Sequence, residues 1–325
     1  MSAQSQAAVA AVVDAGGAEI AAVMRGVEER MTAVIGDHGL VLAHHAQATI
    51  SAGGKRLRPL LVCLAAGVPA RASDALVHAG VAVELVHAAT LVHDDVLDGA
   101  SLRRGRPTVL AAAGRLHATA TGDLLFSRAF AELAGGGDVE PVQLLAHASS
   151  QLAAGELLQR ADAWNVEVSE ERYLERCRLK TAVLFRAACE LGARCGGGQM
   201  TALGAFGEQI GLAFQLLDDV LDITGPPERT GKPRGADLLD GTVTLPLILA
   251  RASSASLAKL DLRSIRAAEQ AAAVCDAIAA TDAIAIAKER ALAMVAKAKL
   301  TLPLLPERQR AALELVADGV VERYA

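Results

Sequence analysis

Two short stretches of this chain are identical: Asp94-Asp95-Val96-Leu97-Asp98 returns as Asp218-Asp219-Val220-Leu221-Asp222. On a helix, positions i and i+4 share a face, so Asp94 with Asp98, and Asp218 with Asp222, each make a carboxylate pair pointing one way. The first copy follows the apolar block Ala88 to Val92 and the second follows Ile210 to Leu217, while Gly99 and Gly225 come soon after. That order puts the acids near helix C-termini, where the macrodipole disfavours negative charge unless a cation offsets it. A single such motif reads equally well as a solvated acidic face, but two copies on apolar helices do not. The donors are all oxygen, too few for a closed calcium cage, and they lack the spacing of an EF-hand. Magnesium held by one or two carboxylates and completed by substrate phosphates fits them better.

A phosphate substrate also needs fixed cations. Gly53-Gly54-Lys55-Arg56-Leu57-Arg58-Pro59 supplies three beside a glycine turn, and Ser101-Leu102-Arg103-Arg104-Gly105-Arg106-Pro107 supplies three more just after the first acidic motif. Taken alone, each is an ordinary solvated basic loop; beside paired carboxylates they read as grips for phosphate. The spacing G-x-x-x-x-G-K-[ST] occurs nowhere, which disfavours a P-loop nucleotidase.

These residues need a rigid frame, and the composition provides for one. The 325 residues are 52% hydrophobic and 21% charged, enough for a sizeable core. Aromatics reach only 2% and the formal net charge is −5, which argues against a nucleic-acid partner. Five scattered cysteines with no C-x-x-C pair suit a reducing compartment. No run of about 18 apolar residues is present and the first residues lack a basic signal-peptide region, so the expectation is a cytoplasmic protein without an integral membrane segment. Ala, Leu and Val recur at three- and four-residue spacing and alternating β-branched runs are nearly absent, predicting an all-α fold. Breaks are expected at Gly53-Gly54, Gly99, Gly105 to Pro107, Gly135 to Gly137, Gly196 to Gly198, Gly225 to Gly235 and Pro303/Pro306. With no linker-like stretch, residues 1–325 read as one domain of ten or more helices, residues 1–15 being frayed.

Over nearly its whole length the chain resembles the trans-isoprenyl diphosphate synthases, the polyprenyl synthetase family. The likeness rests on GGKRLRP (53–59), ELVHAATLVHDDVLD (84–98), LRRGRPT (102–108), GDLL (122–125), GELLQ (155–159), LKTAVLF (179–185), FQLLDDVLD (214–222) and GKPRGADLLDGTVTLP (231–246), in that order. The resemblance implies a helical bundle around a central cavity, a homodimer, and two acidic motifs facing each other across the cavity mouth. It implies three magnesium ions on the allylic diphosphate, held by Asp94, Asp98, Asp218 and Asp222 with Asp95 and Asp219 nearby. Arg103, Lys180 and Lys232 would complete the shell of that diphosphate. Lys55, Arg58, His87 and Arg104 match the positions that grip isopentenyl diphosphate, and Thr181 and Gln215 match polar groups at the reaction centre. The implied reaction is transfer of an allylic chain to isopentenyl diphosphate with release of pyrophosphate, giving a C20 or longer all-trans product.

Two rival readings are a class I terpene cyclase, which needs no second diphosphate site, and a non-catalytic subunit, which would be expected to lose an acidic motif. Val243 departs from the family pattern, where many relatives carry Lys, and the chain ends without the basic tail of some farnesyl synthases. Chain length is read from residues one and two turns before Asp94, about 5.4 Å apart along the axis. Ala89 and Thr90 are small and Val86 is aliphatic, so no aromatic floor stands on this helix and C30 or longer is favoured, with C20 the alternative. Ala89→Phe is accordingly expected to shorten the product when dephosphorylated chains are sized by chromatography; an unchanged distribution would contradict this tunnel geometry.

Overall fold

The three- and four-residue apolar spacing folds as expected into helices in the computed structural model, which describes residues 11–13, 15–36, 40–51, 54–67, 74–226 and 233–322. In chain order these are α1 (Ala18–Gly36), α2 (Leu40–Ser51), α3 (Leu57–Ala65), α4 (Asp74–Leu97), a hairpin of β1 (Leu102–Arg103) and β2 (Arg106–Pro107), α5 (Val109–Ala134) and α6 (Val139–Ala161). There follow α7 (Glu170–Cys177), a π-helical turn (Arg178–Ala182), α8 (Val183–Gly196), α9 (Met200–Thr224), α10 (Ala236–Leu239), α11 (Leu245–Ser253) and α12 (Ala255–Ala258). A 3₁₀ turn (Leu262–Ser264) leads to α13 (Ala268–Ala279), α14 (Ala283–Leu300) and α15 (Glu307–Glu322). Of the first fifteen residues, 11–13 and 15 are helical and the rest lie outside the described residues.

Local chemistry sets the starts. Thr108 caps α5 by accepting from the Ala111 amide at 3.1 Å, and Ser169 caps α7 by accepting from the Arg172 amide at 3.2 Å. Pro246 sits in the first turn of α11, where its missing N–H costs nothing.

The helices form two compact units, each drawn from separate stretches of sequence. The first gathers described residues within Met1–Ser149, Leu184–Gly207 and Thr301–Gly319; the second gathers those within Ser150–Val183, Glu208–Leu300 and Val320–Ala325. In the first unit α4 packs most extensively on α5 and is flanked by α1 and α3, with Val27, Met31, Leu61, Leu85, Leu125 and Phe185 wholly buried. By length and hydropathy α4 would suffice to cross a bilayer, but most of its surface is buried within this unit. In the second unit α11 lies against α7, α12, α13 and α14, and Tyr173, Ile210, Leu216, Leu247, Cys275 and Ile278 are buried.

Two local features depart from a purely α-helical reading. Arg104 and Gly105 both adopt positive φ, 52° and 73°, which makes the two-residue loop that joins Leu102 to Pro107 and Arg103 to Arg106 in antiparallel register. The π turn widens the helix at Lys180 and Thr181, a distortion that recurs at functional sites. Gly155 on α6 accommodates it: a Cβ there would lie 2.5 Å from the Lys180 amide nitrogen and 2.8 Å from the Leu179 carbonyl carbon. Because backbone cannot step aside as a flexible side chain can, Gly155→Ala is expected to lower unfolding stability by about 1–3 kcal/mol. Urea denaturation checks this, and a stability equal to the parent's would contradict the contact.

Candidate functional site

In the first unit the acidic motif forms the last turn of α4. Gly99, at φ 64°, ends the helix, and the Ala100 amide donates back to the Asp95 carbonyl at 2.9 Å. Asp94 is partly exposed and Asp98 is exposed, whereas Asp95 is buried. Arg103 on β1 donates through Nε to Asp95 Oδ1 at 2.8 Å. Burial pushes the Asp95 carboxyl up and Arg103 opposes that push. The hairpin thus ties down the middle aspartate and leaves the i, i+4 pair on the open side of the helix.

The same unit holds a cluster of positive charge. Arg56, at φ 47° just before α3, is consumed structurally: it donates to Glu28 at 2.6 Å, to Glu84 at 2.9 Å and to the Ile50 carbonyl at 3.0 Å. Arg58, two residues on, lies 4.7 Å above the Phe185 ring, and its buried Nε has no partner among the described residues. Burial lowers its pKa to about 10, Glu84 working against this and Arg104 with it. Arg104 comes from the hairpin loop; a Cβ on Gly54 would lie 3.3 Å from its Nη1, which puts this guanidinium beside the turn that carries Lys55. His87 is held well below the usual imidazole range, first by burial and then by Arg58, Arg104, Arg103 and Arg56. Held there, the imidazole stands uncharged among guanidiniums, where its ring nitrogens can serve as hydrogen-bonding groups.

Of the three positions expected to set chain length, Val86 and Ala89 are wholly buried in α4 and Thr90 is partly exposed, its hydroxyl donating to the His87 carbonyl at 2.8 Å.

In the second unit the acidic motif lies two residues short of the end of α9. Asp218 is partly exposed; Asp219 and Asp222 are buried. Asp219 accepts from the Tyr173 hydroxyl at 2.6 Å and from Gln215 Nε2 at 2.7 Å, while Gln215 Oε1 accepts from the Thr181 hydroxyl at 2.6 Å. Burial raises the Asp219 pKa to about 8, reinforced by Asp237 and Asp218 and opposed by the Tyr173 and Gln215 hydrogen bonds. Asp222 Oδ2 accepts from the Asp237 amide at 3.2 Å, which fixes the carboxyl against α10. Lys180, on the π turn, is ion-paired with Glu156, which also takes Arg160 at 2.9 Å. Lys232 lies outside the described residues. Val243 is fully buried, and its carbonyl accepts from Arg176 Nη2 at 2.5 Å.

The reading from sequence missed Glu156, Tyr173 and Asp237. Glu156 was in view within GELLQ, but Tyr173 lies 46 positions from its partner and carries no local mark. Among the described residues no three His, Cys, Asp or Glu side chains converge on a metal position. What is present is pairs of carboxylates, which fit a small hard cation that takes its remaining ligands from phosphate oxygens and water.

Comparison with known proteins identifies the family. The family profile for polyprenyl synthetases matches residues 40–281. Over 272 residues the chain is 40% identical to heptaprenyl diphosphate synthase component 2 of Geobacillus stearothermophilus, covering 82% of this chain and 83% of that one. The fold superposes on a polyprenyl synthase from Caulobacter crescentus CB15, crystallised with calcium and isoprenyl diphosphate, with a TM-score of 0.90, 36% identity and 98% of each chain covered. It superposes on a decaprenyl diphosphate synthase from Rhodobacter capsulatus with a TM-score of 0.89 and 32% identity over 98% of this chain and 99% of that one.

The depressed pKa of His87 has a consequence for stability. The unfolded imidazole takes up a proton near pH 6.5 and the folded one only well below that, so stability is fully present above about 6.5 and declines as the pH falls beneath it. The slope is at most about 1.4 kcal/mol per pH unit, less to the extent that water reaches the ring. His87→Gln should flatten the stability profile between about pH 5 and 6.5 in urea titrations; an unaltered slope would show that His87 titrates normally.

Proposed function

The chain belongs to the polyprenyl synthetase family, and from that premise we propose that it condenses isopentenyl diphosphate with an allylic diphosphate, releasing pyrophosphate, to make an all-trans-polyprenyl diphosphate of C20 or longer, C30 or longer being favoured. It is a prenyltransferase. The observation that carries the reading is that one chain has both kinds of charge cluster: i, i+4 carboxylates near the ends of α4 and α9, and Arg58 and Arg104 around a neutral His87.

Each residue then has a role. Asp94 and Asp98, and Asp218 and Asp222, are the magnesium ligands, three ions in all, with Asp95 and Asp219 held behind them. Arg103, Lys180 and Lys232 contact the allylic diphosphate; Lys55, Arg58, His87 and Arg104 bind isopentenyl diphosphate. When bound, magnesium supplies positive charge to pyrophosphate as it leaves. Lys180 and Arg103 add positive charge where the negative charge grows, after exchanging their present carboxylate partners for phosphate. Thr181 and Gln215, already ordered by their mutual hydrogen bond, line the centre with oxygen dipoles that favour an allylic cation. Attack by the isopentenyl double bond forms the new C–C bond, and the departing pyrophosphate takes the final proton, so no protein nucleophile is needed.

The two structural units are proposed to act as one catalytic domain, in a cytoplasmic homodimer. A terpene cyclase would have no use for the Arg58 cluster, and a non-catalytic subunit would have no reason to retain both acidic pairs. The test is to incubate the purified protein with labelled isopentenyl diphosphate and each of dimethylallyl, geranyl, farnesyl and geranylgeranyl diphosphate, with and without Mg²⁺. A magnesium-dependent ladder ending at C30 or beyond is expected. A stop at C20 would make it a geranylgeranyl diphosphate synthase, cyclic hydrocarbon would make it a cyclase, and inactivity with every primer would point to a required second chain.

A further inference from the structure

Arg176, at the end of α7, is 3% exposed. Its guanidinium lies 5.3 Å from the centre of the Tyr173 ring and donates through Nη2 to the Val243 carbonyl at 2.5 Å, and its buried Nη1 has no hydrogen-bond partner. Among the described residues no carboxylate pairs with it. A buried guanidinium without an ion pair is expensive, and persists only where the surrounding field is negative. The second unit supplies that field. Tyr173, beneath the guanidinium, donates to Asp219, and Asp219 is itself acted on by the charges of Asp237 and Asp218. The Asp237 amide in turn holds Asp222. The neighbouring Cys177 thiol registers Arg176 and this acidic group at once, being pushed up by burial and by Asp219 and Asp237 and pulled down by Arg176.

We infer that Arg176 is a positioning residue for the diphosphate site: a fixed buried cation that offsets the second acidic motif. It does not touch substrate. It acts through the field and through Tyr173, whose phenol holds the Asp219 carboxylate. This rests on reading Asp218 and Asp222 as magnesium ligands.

A fixed positive charge near such a site has effects of opposite sign on its two ligands. It weakens Mg²⁺ binding and strengthens diphosphate binding, so its removal should tighten the first and loosen the second, whereas mere damage to the fold would weaken both. The test is thermal-shift titration at constant ionic strength, with MgCl₂ alone and then with inorganic pyrophosphate at saturating MgCl₂. Arg176→Met is expected to lower the Mg²⁺ midpoint about threefold or more and raise the pyrophosphate midpoint about threefold or more, as expected for loss of one partly screened charge. Arg176→Lys should leave both within about twofold, because it keeps the charge.

The inference is overturned if both midpoints rise together in Arg176→Met, if neither moves, or if Arg176→Lys behaves like Arg176→Met. Should Arg176→Met fail to fold, Arg176→Gln takes its place with the same expectations; if neither neutral variant folds, Arg176 is a stability element and the inference fails. A parent protein that responds to neither ligand removes the proposed function along with it, while a parent that responds beside a neutral variant that does not differ removes this inference alone.

Discussion

Crowding charges of one sign into a partly dry space is the constraint that organises this protein. Diphosphates are well solvated, and isolated surface lysines or aspartates hold them or their metals weakly because water and salt screen each contact. Arg58 and Arg104 beside His87, and Asp218, Asp219, Asp222 and Asp237 together, escape that screening only by standing close to groups of their own sign. Burial does most to bring the Arg58 pKa down to about 10 and that of Asp219 up to about 8, and the like charges of Arg104 and of Asp237 and Asp218 add to it. Such clusters are poor contributors to stability and good binding sites, since a ligand of opposite sign relieves what the fold alone leaves in place.

The frame answers this constraint with local restraints. In each acidic motif the middle aspartate is buried and bound by a side chain from another element, Asp95 by Arg103 and Asp219 by Tyr173, with Gln215 adding a bond from within α9. Apolar packing on α4, and the hydrogen bond from the Asp237 amide on Asp222, fix the helix ends on which the outer aspartates sit. Lys180 and Thr181 ride on a π turn, which sets their side chains at angles an α-helix would not, and Gly155 makes the space for it. Rigidity around charge is the shared feature of both units.

Much of this was legible in sequence because it is local. Helix spacing, the glycine that ends α4, the break after α9 and the i, i+4 geometry of each carboxylate pair depend on residues within a few positions of one another, and the structure has them as expected. Arg56 shows the limit: counted among three cations of one turn, it is spent on Glu28 and Glu84, a fact that depends on α1 and α4. Tyr173 and Arg176 were invisible for the same reason, as their partners lie 46 and 67 positions away. The π turn left no local mark, and the glycine that makes room for it, Gly155, lies on α6 more than twenty residues earlier. Val243 reads in sequence as a missing cation, and only the structure puts a guanidinium against its carbonyl.

The central claim is that the two charge clusters recognise diphosphate in different ways, the basic one directly and the acidic pairs only through metal. Calorimetric titration of the purified protein with isopentenyl diphosphate, and separately with an unreactive allylic diphosphate analogue, each with and without Mg²⁺, tests it most directly. Isopentenyl diphosphate should bind with similar affinity in both conditions and lose that affinity in Arg58→Met, whereas the allylic analogue should need Mg²⁺. Equal magnesium dependence for the two ligands would contradict the account.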